Sequence, residues 1–227
     1  MIRLTDVSRV YTVGGQELRA LDHINLTIQT GEYVSIMGPS GSGKSTLLNM
    51  LGCLDRPSSG TYELDGQQVG NLSESELAKV RRYRIGFVFQ SFHLIKRLPA
   101  LENIALPLIL DGVPHDQARD RARAALDSVG LLKREHHRPN QMSGGEQQRI
   151  AIARAIIMDP SHLLADEPTG NLDTKSGTGI VDLLEDLNKR GKTLIVVTHD
   201  PEMGKRAKRA VRMVDGRFAS DSAQGGA

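Results

Sequence analysis

The most specific chemistry in the chain sits in one run, Gly38-Pro-Ser-Gly-Ser-Gly43-Lys44-Ser45, which fits the pattern G-x-x-x-x-G-K-[ST]. Its glycines let the backbone wrap closely enough for several N–H groups to converge on phosphate oxygens, and the helix opening at Ser45 presents its positive end to the same anion. Lys44 then reaches the terminal phosphates and the Ser45 hydroxyl ligates Mg²⁺. The run follows Tyr33-Val-Ser-Ile-Met, a hydrophobic strand, as this chemistry requires.

Asp166 and Glu167 close the apolar run Leu163-Leu-Ala. Alone, such a pair reads as a turn feature; beside a phosphate cradle, at the strand edge where α/β sheets bind ligands, it reads as hydrolytic machinery. Asp166 is then the metal-shell carboxylate, and Glu167 faces an attacking water as general base. His199 follows the strand Leu194-Ile-Val-Val-Thr and emerges on the same edge, where a γ-phosphate contact competes with the reading of a satisfied turn histidine. Gln90 ends the strand Ile85–Phe89 in the same manner, within reach of the metal or the water.

A second anion-ready segment, Ser143-Gly144-Gly145-Glu-Gln, precedes the helix expected over Gln147–Met158. It reads either as an N-cap with a glycine lead-in or as a half-site that closes over a nucleotide held by a second copy in a head-to-tail dimer.

These groups need a scaffold. Short β-branched runs alternating with helical patterns predict an α/β fold with a mainly parallel sheet. The extended segments Ile2–Tyr11 and Leu18–Ile28, joined through Gly14-Gly15, predict an N-terminal antiparallel β-subdomain. Ser73-Glu-Ser-Glu76 matches a capping box, and Gln117–Val129 has helical spacing. From Ser91 to Gln148 the strand signal gives way to helical segments punctuated by Pro99, Pro107, Pro114 and Pro139, which predicts an inserted helical subdomain. One domain is expected over residues 1–219, with its core at 1–90 and 149–219, the helical unit at about 91–148, and a frayed tail at 220–227.

The bulk properties narrow the class. Lys+Arg 29 against Asp+Glu 27 leaves no global field to recruit nucleic acid. No apolar run is long enough to cross a bilayer and nothing reads as a signal peptide, so a cytosolic location is expected. The single cysteine, Cys53, reads as a buried structural thiol.

Taken in order, Gly38-Pro-Ser-Gly-Ser-Gly-Lys-Ser-Thr46, Gln90, Ser143-Gly-Gly-Glu-Gln-Gln-Arg149, Leu164-Ala-Asp-Glu-Pro-Thr-Gly-Asn-Leu-Asp173 and Thr198-His-Asp200 resemble the ATP-binding cassette ATPases. Within them, Gly86-Phe-Val-Phe-Gln-Ser-Phe-His-Leu, the Pro139-Asn-Gln segment before Ser143 and the run from Asp166 to Asp173 are similar to the group serving lipoprotein release, macrolide or peptide efflux, and bacterial cell division. The resemblance implies a P-loop NTPase core and an ATPase with ATP and Mg²⁺ as cofactors. It implies that Tyr11 stacks on adenine; that the loop Gly38, Pro39, Ser40, Gly41, Ser42, Gly43, with Lys44, Ser45 and Thr46, holds phosphate and metal; and that Gln90 serves the metal and water. It further implies that Glu167 takes the proton, that His199 meets the γ-phosphate, that Asp173 lies in a loop crossing a dimer interface, and that Ser143 and Gly145, with Gly144 between them, bind the opposite chain's ATP. The segment departs from the usual Leu-Ser-Gly-Gly-Gln form at Met142 and Glu146.

A membrane permease is the implied partner, received near Phe92 and Leu94, which read equally as core residues; the chain is then peripheral on the cytoplasmic face of the inner membrane. The rival is a soluble cassette ATPase acting on nucleic acid or the ribosome through the basic run Lys205-Arg-Ala-Lys-Arg209. A single cassette disfavours it, the run reads more simply as a solvated helix face, and no nucleic acid is expected.

Overall fold

The computed structural model describes residues 1–223. In chain order the strands and helices are β1 (Ile2–Val13), β2 (Gln16–Ile28), β3 (Tyr33–Met37), α1 (Lys44–Leu51), β4 (Ser59–Leu64), β5 (Gln67–Gln68), α2 (Glu74–Arg84) and β6 (Ile85–Phe89). There follow α3 (Ala100–Leu110), α4 (His115–Ser128), α5 (Gly144–Ile156), β7 (His162–Asp166), α6 (Thr174–Lys189), β8 (Thr193–Val197), α7 (Pro201–Arg206), β9 (Arg209–Val214) and β10 (Arg217–Asp221).

Two sheets result. The antiparallel one has the order β2-β1-β4-β5, and the other runs β10-β9-β3-β8-β7-β6. In the second, β9, β3, β8, β7 and β6 pair in parallel and β10 closes one edge antiparallel. Its central strands, Leu163–Ala165 and Leu194–Val197, are buried on both faces, which is why they read as unbroken apolar runs instead of alternating ones. One face rests on α1 and the antiparallel sheet through Leu47, Leu48, Ile36 and Ile195; the other packs against α6 through Ile180 and Leu184.

The helical insertion has its own apolar cluster. Leu101, Ile104 and Leu108 of α3 meet Ala118, Ala122 and Leu126 of α4 and Ile150, Ala153 and Ile157 at α5, so that α5 bridges this cluster and the sheet. Pro99 and Pro114 occupy the N-cap positions of α3 and α4, while Pro107 sits inside α3 one turn from its end, where it removes one hydrogen bond of the helix ladder. Buried Asn103 bonds both backbone groups of Ile95 and the carbonyls of Leu98 and Pro99, tying the loop after β6 to α3. The capping box expected at Ser73 and Glu76 is present.

Two expectations change. Ser220 and Asp221 do not fray: they end β10, where Asp221 accepts from Arg209 Nε at 2.8 Å; residues 224–227 of the expected tail lie outside the described ones. Nor is the basic run one solvated helix face. Helix α7 stops at Arg206, whose guanidinium holds Glu185 and Asp182 at 2.6 and 2.7 Å, and Arg209 belongs to β9, between Glu32 and Asp221.

Candidate active site

Register explains the convergence at one edge. Across the parallel sheet, Phe89 lies opposite Asp166, Asp166 opposite Val197, and Ile36 opposite Val197. The residues that follow this row, Gln90, Glu167 and Thr198 with His199, therefore leave the sheet beside the loop that leaves β3.

That loop and the strand ends of β7 and β8 enclose a cleft of about 930 Å³, lined by Gly38, Pro39, Ser40, Gly41, Gly43, Lys44, Ser45 and Thr46, by Asp166, Glu167 and His199, and by Tyr11. Ser42 is the exception within the loop. Its hydroxyl is buried without a partner and its N–H donates to the Pro39 carbonyl, so its side chain is structural. Gly43 caps α1 in the left-handed region at φ 97°, and a Cβ there would stand 2.4 Å from the Ala20 carbonyl oxygen; only glycine closes the loop at this point. No side chain caps α1 and no acidic residue lies in its first turn, which leaves its N-terminal N–H groups to an anion. Lys44 Nζ donates to the carbonyls of Gly38 and Pro39 at 2.9 and 2.7 Å, holding the loop in a cradle around its own positive charge.

Asp166 ends β7 half-buried. Desolvation, reinforced by neighbouring Glu167 and opposed by Lys44, pushes its carboxyl above the usual range. Glu167 takes a left-handed backbone at φ 44°, an unusual state for this residue, and its N–H bonds the Val197 carbonyl. Its Oε1 accepts from the backbone N–H of His199 at 2.9 Å and lies 2.7 Å from His199 Nδ1, while Oε2 accepts from the Thr198 hydroxyl. The two strand-end groups are thus bonded to each other, a contact that lies across the sheet and leaves no sequence signal.

Other expected residues lie off the cleft. Gln90 exchanges two hydrogen bonds with Asn171, Nε2 to Oδ1 at 3.3 Å and its carbonyl from Nδ2 at 3.0 Å. Asp173 caps α6, accepting from Ser176 N–H at 2.9 Å. Ser143 caps α5 in a full capping box: its Oγ accepts from Glu146 N–H, and Glu146 Oε2 accepts from Ser143 N–H. Gly144 and Gly145 open that helix against Leu172 and Ser176, outside the cleft. Phe92 and Leu94, near which a partner was expected, are half-buried, Leu94 against the helical cluster. An apolar groove of about 330 Å³ lies between Phe87 and Phe89 of β6 and Leu106, Pro107 and Leu110 of α3.

Residues without any motif complete the cleft. Leu18 stands opposite Tyr11 across the β1–β2 hairpin, on the same face, and Asp215-Gly216 closes the far side. Tyr11 itself is braced: its hydroxyl donates to Asp55 Oδ2 at 2.6 Å, and Arg9, which pairs with both Asp55 oxygens, lies 4.4 Å over its ring.

Residues 21–170 match the family model for ABC transporters. The chain is 51% identical over 99% of its length to a macrolide export ATP-binding/permease protein, MacB 1/2, of Paracoccus denitrificans, and spans about a third (34%) of that relative. It is 51% identical to an uncharacterised ABC transporter ATP-binding protein, YvrO, of Bacillus subtilis, there covering 96% of the relative and 97% of itself. The fold superposes with TM-score 0.90 and 46% identity, over 97% of each chain, on the dimeric post-hydrolysis state of the ATP-binding cassette MJ0796 bound to ADP and Pi. These likenesses leave the soluble, nucleic-acid-directed rival without support. The family match, the relatives at about half identity and the shared fold, with a phosphate loop, a capped glycine turn and a strand-end acidic pair following one another along the chain, make it a member of the ABC transporters: their ATP-binding, ATP-hydrolysing domain.

Proposed function

We propose that two copies of this domain clasp two ATP molecules between them, each held by the Lys44 loop of one copy and the Ser143 turn of the other, and that this cycle drives a membrane permease. One observation carries the reading: among the described residues there are two helix starts at glycine-rich turns, at Gly43 and Ser143, and of these the first lines the cleft and the second does not. The Ser143 hydroxyl, exposed and already accepting from Glu146 N–H, keeps its proton to donate to a phosphate oxygen from another chain. Asp173 sits beside this turn, in the loop suited to cross the same interface.

Tyr11 offers the ring face away from Arg9 to adenine. Ser45, exposed in the cleft, and the Asp166 carboxylate are hard oxygen donors of the kind Mg²⁺ takes; among the described residues no cluster of three or more His, Cys, Asp or Glu competes for it. Bound there, Mg²⁺ would neutralise charge on the β- and γ-phosphates. For hydrolysis Glu167 turns one oxygen from His199 to the water, and His199, so released, turns its imidazole to the γ-phosphate; Gln90 leaves Asn171 to help orient that water and the metal shell.

The two relatives carry the permease reading: one combines ATP-binding and permease parts in one protein, and this chain covers its ATP-binding third. No helix among the described residues is long and apolar enough to cross a membrane; by its likeness to the ATP-binding part of an ATP-binding/permease protein, the domain is read as working at the cytoplasmic face of a permease. A short cytoplasmic segment of that permease seats in the groove of Phe87, Phe89, Leu106 and Leu110, next to Gln90.

The test is Glu167→Gln. It keeps the cradle and loses the base, so kcat falls by about 100-fold or more while ATP converts the chain to a dimer on gel filtration. Normal turnover, or a monomer at saturating ATP, rejects the reading.

A further inference from the structure

Glu146 places a carboxylate in the first turn of α5, where the proposed clasp must receive the γ-phosphate of the opposite copy. Left uncompensated, it would repel that anion. The structure answers the charge from outside the turn: Arg134, in the 3₁₀ segment Leu132–Arg134, donates from Nε to Glu146 Oε1 at 2.9 Å. Its other arm lies 3.1 Å from His137 Nε2, which fixes the guanidinium plane. The second carboxylate oxygen accepts from Ser143 N–H at 2.8 Å, so both Glu146 oxygens are occupied and the serine is held for its partner.

We propose that Arg134 is a positioning residue for the clasp, cancelling the charge of Glu146 so that its capping bond to Ser143 is kept without loss of attraction for ATP. A Gln at this place would also cap the turn and carries no charge to repel ATP, so the acid, the stronger cap, suits the clasp only with its arginine. The inference rests on the clasp reading.

The test runs in the Glu167→Gln chain, reading the ATP concentration that gives half-maximal dimer. Arg134→Ala raises it about fivefold at about 50 mM salt and less than twofold at about 500 mM, because screening weakens the exposed repulsion. Arg134→Lys, which keeps the charge, stays within about twofold of the parent. Arg134→Ala with Glu146→Gln returns to within about twofold of Glu146→Gln alone, a rescue that a folding defect in Arg134→Ala would not show. An Arg134→Ala chain that dimerises like its parent, or a double variant as weak as Arg134→Ala, overturns the proposal. A parent that never dimerises with ATP overturns the clasp and this inference with it.

Discussion

Helices α1 and α5 both begin at glycine-rich turns, yet their starts are finished in opposite ways. Helix α1 opens at Gly43 with no capping side chain and no acid in its first turn, and its lysine is folded onto the loop carbonyls. Helix α5 opens at Ser143 with a complete capping box and an arginine on its acid. The first is left unsatisfied until an anion arrives; the second is satisfied by its own chain and offers a visitor little more than a hydroxyl proton and an oriented dipole. On the proposed clasp, one start holds a ligand and the other joins a ligand already held.

That contrast can be broken first at Lys44. Lys44→Ala removes a charge-assisted contact to phosphate and the bonds that shape the cradle, and should weaken ATP binding by about 100-fold or more in calorimetry. Retained affinity would mean that α1 is not the holding end. The next effect in size belongs to Ser143→Ala. Loss of the cap costs about 1 kcal/mol, a Tm drop of about 2–4 °C, and ATP-driven dimerisation weakens about tenfold while binding to the monomer is unchanged. A monomer that lost affinity would place Ser143 in its own cleft and erase the distinction.

The smallest effect sharpens it through pH. The Asp166 carboxyl is raised by desolvation, so its ionised form is disfavoured in the folded chain; that cost is complete above its folded pKa and vanishes below the unfolded value of 3.8. Asp166→Asn should therefore raise the Tm of the nucleotide-free chain by about 2 °C at neutral pH, a gain that disappears in acid. Glu146 is the reverse case. The Ser143 N–H, with Arg134, lowers its pKa, so its contribution is present above the unfolded value of 4.5 and is lost as pH falls through the folded one. Thermal melts of Asp166→Asn and Glu146→Gln across pH 3–8 should move in opposite directions at neutral pH, and parallel shifts would dissolve the contrast.

Much of the site was legible because it is local. The phosphate loop is contiguous, Ser73 and Ser143 announce their helices three residues ahead of a Glu, and the apolar runs of β7 and β8 declare buried strands. Leu18 and Asp215-Gly216 were not legible, since a leucine on a hairpin and a tight turn read alike wherever they fall. That Phe92 and Leu94 are half-buried was not legible either, because hydrophobic residues after a strand give no sign of which neighbour will cover them. The pairing of Arg134 with Glu146 was not legible, because the two lie 12 residues apart with a turn between them.

By itself, then, the sequence determined which backbone segments can bind phosphate, where helices begin, and that a parallel sheet must carry them, since these follow from glycine freedom, capping and side-chain periodicity within a few residues. Only the tertiary structure decided the strand order that sets Asp166 beside Val197, the bond of Glu167 to His199, the brace of Arg9 and Asp55 on Tyr11, and the facing of the Ser143 turn away from its own cleft. Those depend on which distant segments bury one another, a choice made by the whole core and not by any single stretch of chain.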